Sequence, residues 1–305
     1  MYYGFDMGGT KIELAVFDEE MNQVWIKRHP TPKNNYDDLL CVFVELVKEA
    51  DERFNTQGSI GIGIPGIPNV SNGTVFTTNV PSAKGKPLAA DLTKMLNRPV
   101  KISNDANCFA LSEAYAPVFK KYRSVLGLIL GTGVGGGLII DGKPVTGHNG
   151  ITAEIGHLRI TLDMLTILGM DIPKRQCGCG HIGCAETYLS GEGFEWLFNH
   201  FYHLSLSAQA IVALYRQGDA HATEHVERYT SLLASYLGNI LTLFDTELVV
   251  IGGGLSNFDE LYTLLPQKLP LYIYSIATLP QIEKARYGDS GGVRGAAFLH
   301  LGSPA

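Results

Sequence analysis

Near its N-terminus the chain contains the segment Gly4-Phe5-Asp6-Met7-Gly8-Gly9-Thr10-Lys11. The residues from Tyr2 to Asp6 predict a strand, Gly8-Gly9 predicts a tight turn, and a second strand is expected from Lys11. Backbone amides in a glycine turn hold a phosphate group closely, because no side chain stands in the way. A turn that only closes a hairpin has the same sequence, so this segment alone leaves both interpretations open.

The same order of features returns in the second half of the chain. Val125 to Leu130 predicts a buried strand, Gly131 to Gly137 forms a glycine turn, and Leu138 to Ile140 predicts the next strand. Asp141-Gly142 is typical of a hairpin turn. We therefore predict a duplicated α/β fold in which two glycine turns hold one triphosphate.

The duplication predicts two α/β lobes. We assign residues 1–118 to an N-terminal lobe and residues 119–290 to a C-terminal lobe. The last predicted helix, residues 291–301, carries small residues, and we expect it to pack back on the first lobe. A cleft between two such lobes is a natural place for a ligand.

Two common nucleotide motifs are excluded by the context of the glycines. Gly131, Gly133 and Gly136 match G-x-G-x-x-G, but a strand rather than a helix is predicted to follow them. The chain contains no G-x-x-x-x-G-K-[ST] sequence, so it is not a P-loop enzyme. Gly252-Gly253-Gly254 lies between a predicted strand and a predicted helix, which suits either an adenosine pocket or a tight turn.

A candidate catalytic acid stands at the head of a predicted helix. The strand Val100 to Ser103 leads into Asn104-Asp105, and a helix follows. Phosphoryl transfer to a hydroxyl requires a carboxylate that accepts the hydroxyl proton, and Asp105 is placed for that role. Because Asp is also a preferred N-cap, the simpler interpretation is a helix cap. Asp6, at the end of the first strand, is a candidate ligand of Mg²⁺.

The segment from Cys177 to Cys184 predicts a metal site. It contains three of the five cysteines, and its glycines allow the tight loop that a tetrahedral ion requires. A fourth ligand must come from His157 or His181. With four protein ligands the shell is closed, so the expected Zn²⁺ is structural rather than catalytic.

Composition excludes several classes of protein. The chain has 305 residues, 45% of them hydrophobic, and a formal net charge of −6, which gives no basic footprint for nucleic acid or an anionic membrane surface. No apolar run reaches the roughly 18 to 20 residues of a membrane span, and the N-terminus lacks the pattern of a secretory signal. We therefore expect a cytoplasmic protein.

These motifs, in this order, resemble those of the ROK family (repressors, open reading frames, kinases), with Gly63-Ile64-Pro65-Gly66 and Glu154-Ile155-Gly156-His157 as further matches. The resemblance extends from residue 2 to about residue 301. It implies an actin-like, ribonuclease H-like ATPase fold and transfer of the γ-phosphoryl group of ATP, with Mg²⁺, to the 6-hydroxyl of a sugar. The overall resemblance, which includes Tyr188 to Gly191 and Val250 to Phe258, implies N-acetyl-D-glucosamine as that sugar.

The resemblance also implies roles for single residues. Asp105 is the general base. The expected sugar contacts are Gly66, Asn79, Asn104, Asp105, Glu154, His157 and Glu186. The expected ATP contacts are Gly4, Asp6, Gly8, Gly9, Thr10, Lys11, Gly131, Thr132, Gly133, Val134, Gly135, Gly136, Gly137, Leu138, Gly253 and Gly254. The expected zinc ligands are His157, Cys177, Cys179 and Cys184.

Alternatives remain within and outside enzymes. The same base and phosphate grip would serve a kinase for glucose, fructose, mannose or N-acetylmannosamine. The ROK family also contains sugar-responsive repressors with an N-terminal helix-turn-helix domain, but the first predicted strand begins at Tyr2 and we expect no such domain. ATP and a small sugar are the expected partners, and the oligomeric state is left open, with a homodimer among the options.

Overall fold

The structure is a computed structural model that describes residues 1–77 and 79–301. The chain divides into two compact units. The first comprises residues 1–123, residues 137–152 and the C-terminal segment from Arg286, and the second comprises residues 124–136 and 153–285. The lobes 1–118 and 119–290 stay a prediction, because compactness alone does not establish which segments fold independently.

The first unit is built on a five-stranded mixed sheet with the order β3-β2-β1-β4-β7. Strands β1, β2 and β3 form an antiparallel meander, whereas β4 and β7 run parallel to β1. The strands are β1 (Tyr2–Met7), β2 (Lys11–Phe17), β3 (Gln23–Pro30), β4 (Ser59–Ile64) and β7 (Val100–Asn104), and a separate hairpin consists of β5 (Gly66–Pro68) and β6 (Val75–Thr77). The helices are α1 (Tyr36–Phe54), α2 (Leu88–Leu96), α3 (Asp105–Ala114) and α10 (Gly291–Ala297).

Helix α1 shows how the local sequence sets these elements. Asn35 caps its N-terminus by accepting hydrogen bonds from the backbone amides of Asp37 and Asp38, and Asn55 ends it in the left-handed conformation. Apolar residues at helical spacing are buried against the sheet. These residues are Leu39, Leu40, Phe43, Leu46, Val47 and Ala50.

The C-terminal helix α10 packs unusually closely in the first unit. A Cβ atom on Gly4 would lie 2.0 Å from the carbonyl oxygen of Val293, and one on Gly61 would lie 1.9 Å from that of Ala296. A Cβ on Gly295 would lie 1.7 Å from the carbonyl oxygen of Cys108, in α3. The missing side chains therefore let α10 contact β1, β4 and α3 backbone to backbone.

A second five-stranded sheet has the order β10-β9-β8-β11-β12, with β8, β11 and β12 parallel. Its strands are β8 (Ser124–Leu130), β9 (Val134–Ile140), β10 (Lys143–Pro144), β11 (Leu248–Gly252) and β12 (Gln281–Lys284). The helices of the second unit are α4 (Leu162–Leu168), α5 (Glu186–Leu189), α6 (Gly191–Tyr202), α7 (Ala208–Arg216), α8 (Ala220–Phe244) and α9 (Leu261–Lys268). Large aromatic side chains from α5, α6 and α8 form the centre of its core.

The predicted α/β class is confirmed. The predicted strands on both sides of each glycine turn are present, as are the long helices after residue 190. The bounds of the second turn were wrong, because β9 begins at Val134 rather than Leu138 and the turn comprises only Gly131 to Gly133. The sequence pattern missed the β5–β6 hairpin, α2, α4 and β12, each of which is only three to nine residues long and therefore too short to show a clear period. Among the described residues, no helix is long and apolar enough to cross a membrane.

Candidate active site

The first glycine turn connects β1 to β2 and is fixed by backbone hydrogen bonds. The Gly8 amide donates to the Lys11 carbonyl oxygen at 2.9 Å, and the Thr31 hydroxyl donates to the Gly8 carbonyl oxygen at 2.7 Å. Thr10 and Lys11 are exposed beside it, and a Cβ atom on Gly9 would lie 2.8 Å from the Asn79 carbonyl oxygen. The turn is thus fixed by hydrogen bonds and close packing, and its exposed residues, Thr10 and Lys11, are those that an anion could reach.

Gly4 and Gly66, two other predicted contacts, lie in tight backbone packing. Gly4 lies beneath α10, and Gly66 pairs with Thr77 in the β5–β6 hairpin. A Cβ atom on Gly66 would lie 2.1 Å from the carbonyl oxygen of Phe76. Backbone packing within the first unit is therefore enough to explain why both positions are glycine.

Asp105 begins α3 directly after β7. Asn104 is the N-cap, and its side-chain oxygen accepts a hydrogen bond from the Asn107 amide at 2.8 Å. Capping is therefore done by Asn104, which leaves the Asp105 carboxylate for another role. One of its oxygens accepts a bond from the Ala106 amide at 2.8 Å. Surrounding protein atoms raise the pKa of Asp105, although part of the side chain is exposed.

Asp6 and Asp105 interact electrostatically in the first unit. Burial raises the pKa of Asp6 to about 6, and the negative charge of Asp105 contributes to the same shift, with Glu13 as a smaller cause. The positive charge of Lys11 opposes the shift. Two neighbouring carboxylates with raised pKa values are typical of sites that bind a cation or move a proton.

The second glycine turn connects β8 to β9 in the second unit. Gly131 donates to the Gly133 carbonyl oxygen at 3.0 Å, and its own carbonyl oxygen accepts a bond from the Gly191 amide at 2.7 Å. Thr132 is exposed, whereas the side chains of Val134 and Leu138 are buried in the core. Any ligand contact of those two residues must therefore come from their backbone.

A cavity of about 490 Å³ lies beside this turn. Gly131 and Thr132 form one wall, and Gly254 and Leu255 form another. Gly253 has a φ of +78°, and a Cβ atom there would lie 2.5 Å from the backbone of Leu130, so this glycine is required for the two loops to approach each other. The volume is within the range of small-molecule sites.

Helices α6 and α7, which were predicted as helices but not as parts of a site, supply most of the remaining lining of the cavity. Their lining residues include Glu192, Gln209, Val212 and Arg216, and the Arg216 guanidinium is held by both carboxylate oxygens of Glu260 at 2.7 and 2.9 Å. These residues have the spacing of an ordinary amphipathic helix surface. Only Ser190-Gly191, the start of α6 next to the glycine turn, could have indicated from the sequence that this helix lines the cavity.

The predicted zinc ligands come together in the second unit. His157, Cys177, Cys179 and Cys184 have ligand atoms that all lie within 4.8 Å of one another. The Cys179 and Cys184 sulfur atoms are 3.6 Å apart, and Cys177 Sγ is 3.6 Å from His157 Nδ1. With Zn–S of about 2.3 Å and Zn–N of about 2.0 Å, tetrahedral edges of about 3.8 and 3.6 Å are expected. The donor set therefore fits a zinc ion.

The other histidine that the sequence left open lies at the edge of this cluster. His181 Nδ1 is 3.4 Å from Cys179 Sγ, but the group of four mutually close ligand atoms contains His157 instead. Backbone hydrogen bonds hold the loop, with the Cys177 amide donating to the His181 carbonyl oxygen at 2.8 Å. His181 is thus placed to stabilise the loop next to the cluster.

Glu154 and Glu186 lie on either side of His157. His157 Nε2 is 3.9 Å from a Glu154 carboxylate oxygen, and His157 Nδ1 is 3.5 Å from one of Glu186. Glu186 also approaches the second glycine turn, because a Cβ atom on Gly133 would lie 2.9 Å from its other oxygen. The second unit therefore presents three of the predicted sugar contacts at one place, next to a phosphate turn.

Comparisons with known proteins agree with this arrangement. The ROK family model matches residues 2–302. An N-acetyl-D-glucosamine kinase of Yersinia pseudotuberculosis serotype IB (strain PB1/+) is 61% identical over 301 residues, which cover 99% of each chain. A crystal structure of a ROK hexokinase from Thermus thermophilus has a TM-score of 0.83 and 28% identity, covering 98% of this chain and 97% of that one.

A ROK family glucokinase from Streptomyces griseus, solved with glucose and AMPPNP, has a TM-score of 0.72 and 27% identity, covering 98% of both chains. The predicted actin-like fold is confirmed by these structural neighbours. On the evidence of the family match and of a full-length relative at this identity, the chain belongs to the ROK family.

Proposed function

We propose that this chain is a kinase that transfers the γ-phosphoryl group of ATP to the 6-hydroxyl of N-acetyl-D-glucosamine. The products are N-acetyl-D-glucosamine 6-phosphate and ADP. The identity of 61% over 99% of the chain to an N-acetyl-D-glucosamine kinase carries the choice of sugar. The chemistry of the described residues supports the choice of reaction.

Asp105 is the proposed general base. As the sugar oxygen forms its bond to the γ-phosphorus, the bond from phosphorus to the β,γ-bridging oxygen breaks, and the hydroxyl proton passes to the Asp105 carboxylate. The raised pKa of Asp105 makes its carboxylate a stronger base than an aspartate with the ordinary pKa. Asn104, fixed as the N-cap of α3, is proposed to orient a neighbouring sugar hydroxyl.

The two glycine turns are the proposed phosphate sites, because each presents backbone amides beside an exposed threonine, Thr10 or Thr132. Kinases of this type require Mg²⁺, which neutralises charge on the transferred phosphoryl group. Asp6, with its neighbouring acid Asp105, offers the hard oxygen ligands that such an ion prefers.

The cavity between the second glycine turn and helices α6 and α7 is the proposed adenosine pocket. Its lining is more apolar than polar, and Gln209 and Glu192 are among the groups that can form hydrogen bonds to the nucleoside. Its direct continuity with Gly131 and Thr132 would place the phosphates at the turn.

Zn²⁺ held by His157, Cys177, Cys179 and Cys184 is the proposed structural ion. It would fix the loop that carries Glu154 and His157 to the start of α5, where Glu186 is located. These three side chains are the proposed contacts of the second unit with the sugar. ATP is a cytoplasmic cosubstrate, so the cytoplasm stays the proposed location, and a homodimer stays a prediction.

The test is a coupled ATP-consumption assay with N-acetyl-D-glucosamine, N-acetylmannosamine, glucose and fructose, compared by kcat/KM. We expect the highest value for N-acetyl-D-glucosamine, with the product identified as the 6-phosphate by phosphorus NMR. A higher kcat/KM for another sugar would overturn the proposed substrate but not the proposed reaction. ADP formation that no sugar stimulates would refute both.

A further inference from the structure

One cavity of the first unit has no role in the steps above. Its volume is about 230 Å³, and it is bounded by β7, the first turn of α3, the β5–β6 hairpin and α2. Its mouth includes Val70, which is 56% exposed, and its floor includes Val75, which is 2% exposed. The cavity is therefore open to a group that enters from outside.

The walls of this cavity combine apolar and polar groups. Val75, Ala89 and Ile102 supply apolar surface, whereas Ser103 and Asn107 supply a hydroxyl and an amide. Both polar side chains are only 3% exposed, and neither Ser103 Oγ nor Asn107 Oδ1 has a hydrogen-bond partner within residues 1–77 and 79–301. A buried polar atom without a partner is costly, so an occupant with matching polar groups is favoured.

The position of the cavity connects it to the proposed sugar site. Ser103 and Asn107 flank Asn104 and Asp105 in the chain, and the Asn104 side chain is itself bonded to the Asn107 backbone. The cavity therefore lies at the same junction of β7 and α3 as the two side chains that are proposed to hold the sugar. Its chemistry calls for a group with a small apolar end and an amide.

We propose that this cavity receives the acetamido group on C2 of the hexosamine; the inference rests on the proposed function. The acyl methyl contacts Val75, Ala89 and Ile102. The amide N–H donates to Asn107 Oδ1, and the Ser103 hydroxyl donates to the acyl carbonyl oxygen. Both unpartnered atoms are satisfied at once, which neither glucose nor fructose can do.

Ala89 and its neighbour Ala90 provide a matched pair of variants. Ala89 lines the cavity, whereas Ala90 is exposed on the same helix, α2. Leucine is a good helix former, so Ala89→Leu fills the cavity and Ala90→Leu controls for the change in helix. We expect Ala89→Leu to lower the ratio of kcat/KM for N-acetyl-D-glucosamine to that for glucose by roughly tenfold or more. Ala90→Leu should keep the wild-type ratio.

A series of N-acyl glucosamines sharpens the test. The cavity is larger than an acetamido group, so wild type should also accept N-propanoylglucosamine, and Ala89→Leu should lose the longer acyl group first. Ser103→Ala should raise KM for N-acetyl-D-glucosamine by about two- to tenfold, the usual worth of one hydrogen bond. Thermal unfolding of each variant checks folding, and Ala89→Leu remains informative if Ser103→Ala does not fold.

The outcomes separate this inference from the proposed function. Wild type that does not phosphorylate N-acetyl-D-glucosamine would overturn both. Wild type that does so, while Ala89→Leu lowers activity equally for both sugars or for neither, would overturn the cavity assignment alone. Where glucose turnover is too slow to measure, the same ratio is taken from dissociation constants determined by calorimetry.

Discussion

We predict that the free energy of unfolding falls at acid pH because of one buried histidine in the second unit, His225. The residue lies in α8 and is fully buried, with its ring centre 4.5 Å from that of Phe194 and 5.2 Å from that of Phe198. In the part of the chain that the structure describes, neither ring nitrogen has a partner with hydrogen-bond geometry. Burial, assisted by the positive charge of Arg228, lowers the pKa of His225 from 6.5 to about 3.

The size and sign of the effect follow from this shift. Below pH 6.5 the unfolded chain binds a proton at His225 that the folded protein does not bind until about pH 3. The free energy of unfolding therefore falls as the pH falls, by about 1.4 kcal/mol for each pH unit. At pH 5 the loss from this one residue is about 2 kcal/mol.

The assay is urea unfolding of wild type, His225→Leu and His225→Phe at pH 7.5 and pH 5, followed by fluorescence and circular dichroism. The quantity compared is the difference in free energy of unfolding between the two pH values. It should be about 2 kcal/mol larger for wild type than for either variant, because neither variant can bind the proton. His148→Leu, at an exposed histidine, should keep the wild-type difference. Equal pH dependence in wild type and both His225 variants would refute the reasoning.

Three further predictions concern the proposed site and the packing of α10. Asp105→Asn should lower kcat by roughly 10² or more while ATP still binds, as checked by steady-state kinetics and ATP titration; a near-normal kcat would contradict its role as base. Cys179→Ser should lose zinc, measured by elemental analysis, together with a lower Tm, and wild type without zinc would remove the site altogether. Gly295→Ala should lower the free energy of unfolding by about 1–3 kcal/mol or more, because the Cβ of the alanine would lie 1.7 Å from the Cys108 carbonyl oxygen. An unchanged Tm would contradict the close packing.

The sequence predicted local features well where they depend on residues close in the chain. The order of strand and helix around Asp105 follows from Val100 to Glu113 alone, and the three cysteines of the proposed zinc site lie within eight residues. The choice between His157 and His181 could not be made from spacing, because both are near the cysteines. The structure favours His157 as the proposed fourth ligand, because its ligand atom belongs with those of all three cysteines to one group whose members lie within 4.8 Å of one another.

The glycines show why the roles of many site residues could not be predicted from the sequence. A glycine beside a phosphate and a glycine beneath a helix both owe their identity to a missing Cβ atom, so one chain cannot distinguish them. Gly4 was predicted as an ATP contact, a role that stays a prediction, and the structure gives it a packing role beneath α10. The same holds for the walls of the proposed adenosine pocket, where Gln209 and Arg216 have the spacing of an ordinary helix surface.

The carboxylates of Asp6 and Asp105 favour one of the two interpretations of the first glycine turn. Burial raises the pKa of both carboxyl groups, and for Asp6 the negative charge of Asp105 adds to the shift. A fold gains no stability from such a pair. It is retained where a bound cation and a phosphate turn convert the repulsion into binding, since a divalent ion is attracted by both charges at once. The glycine turn at Gly8 is therefore better explained as part of a cation and phosphate site than as a hairpin closure alone.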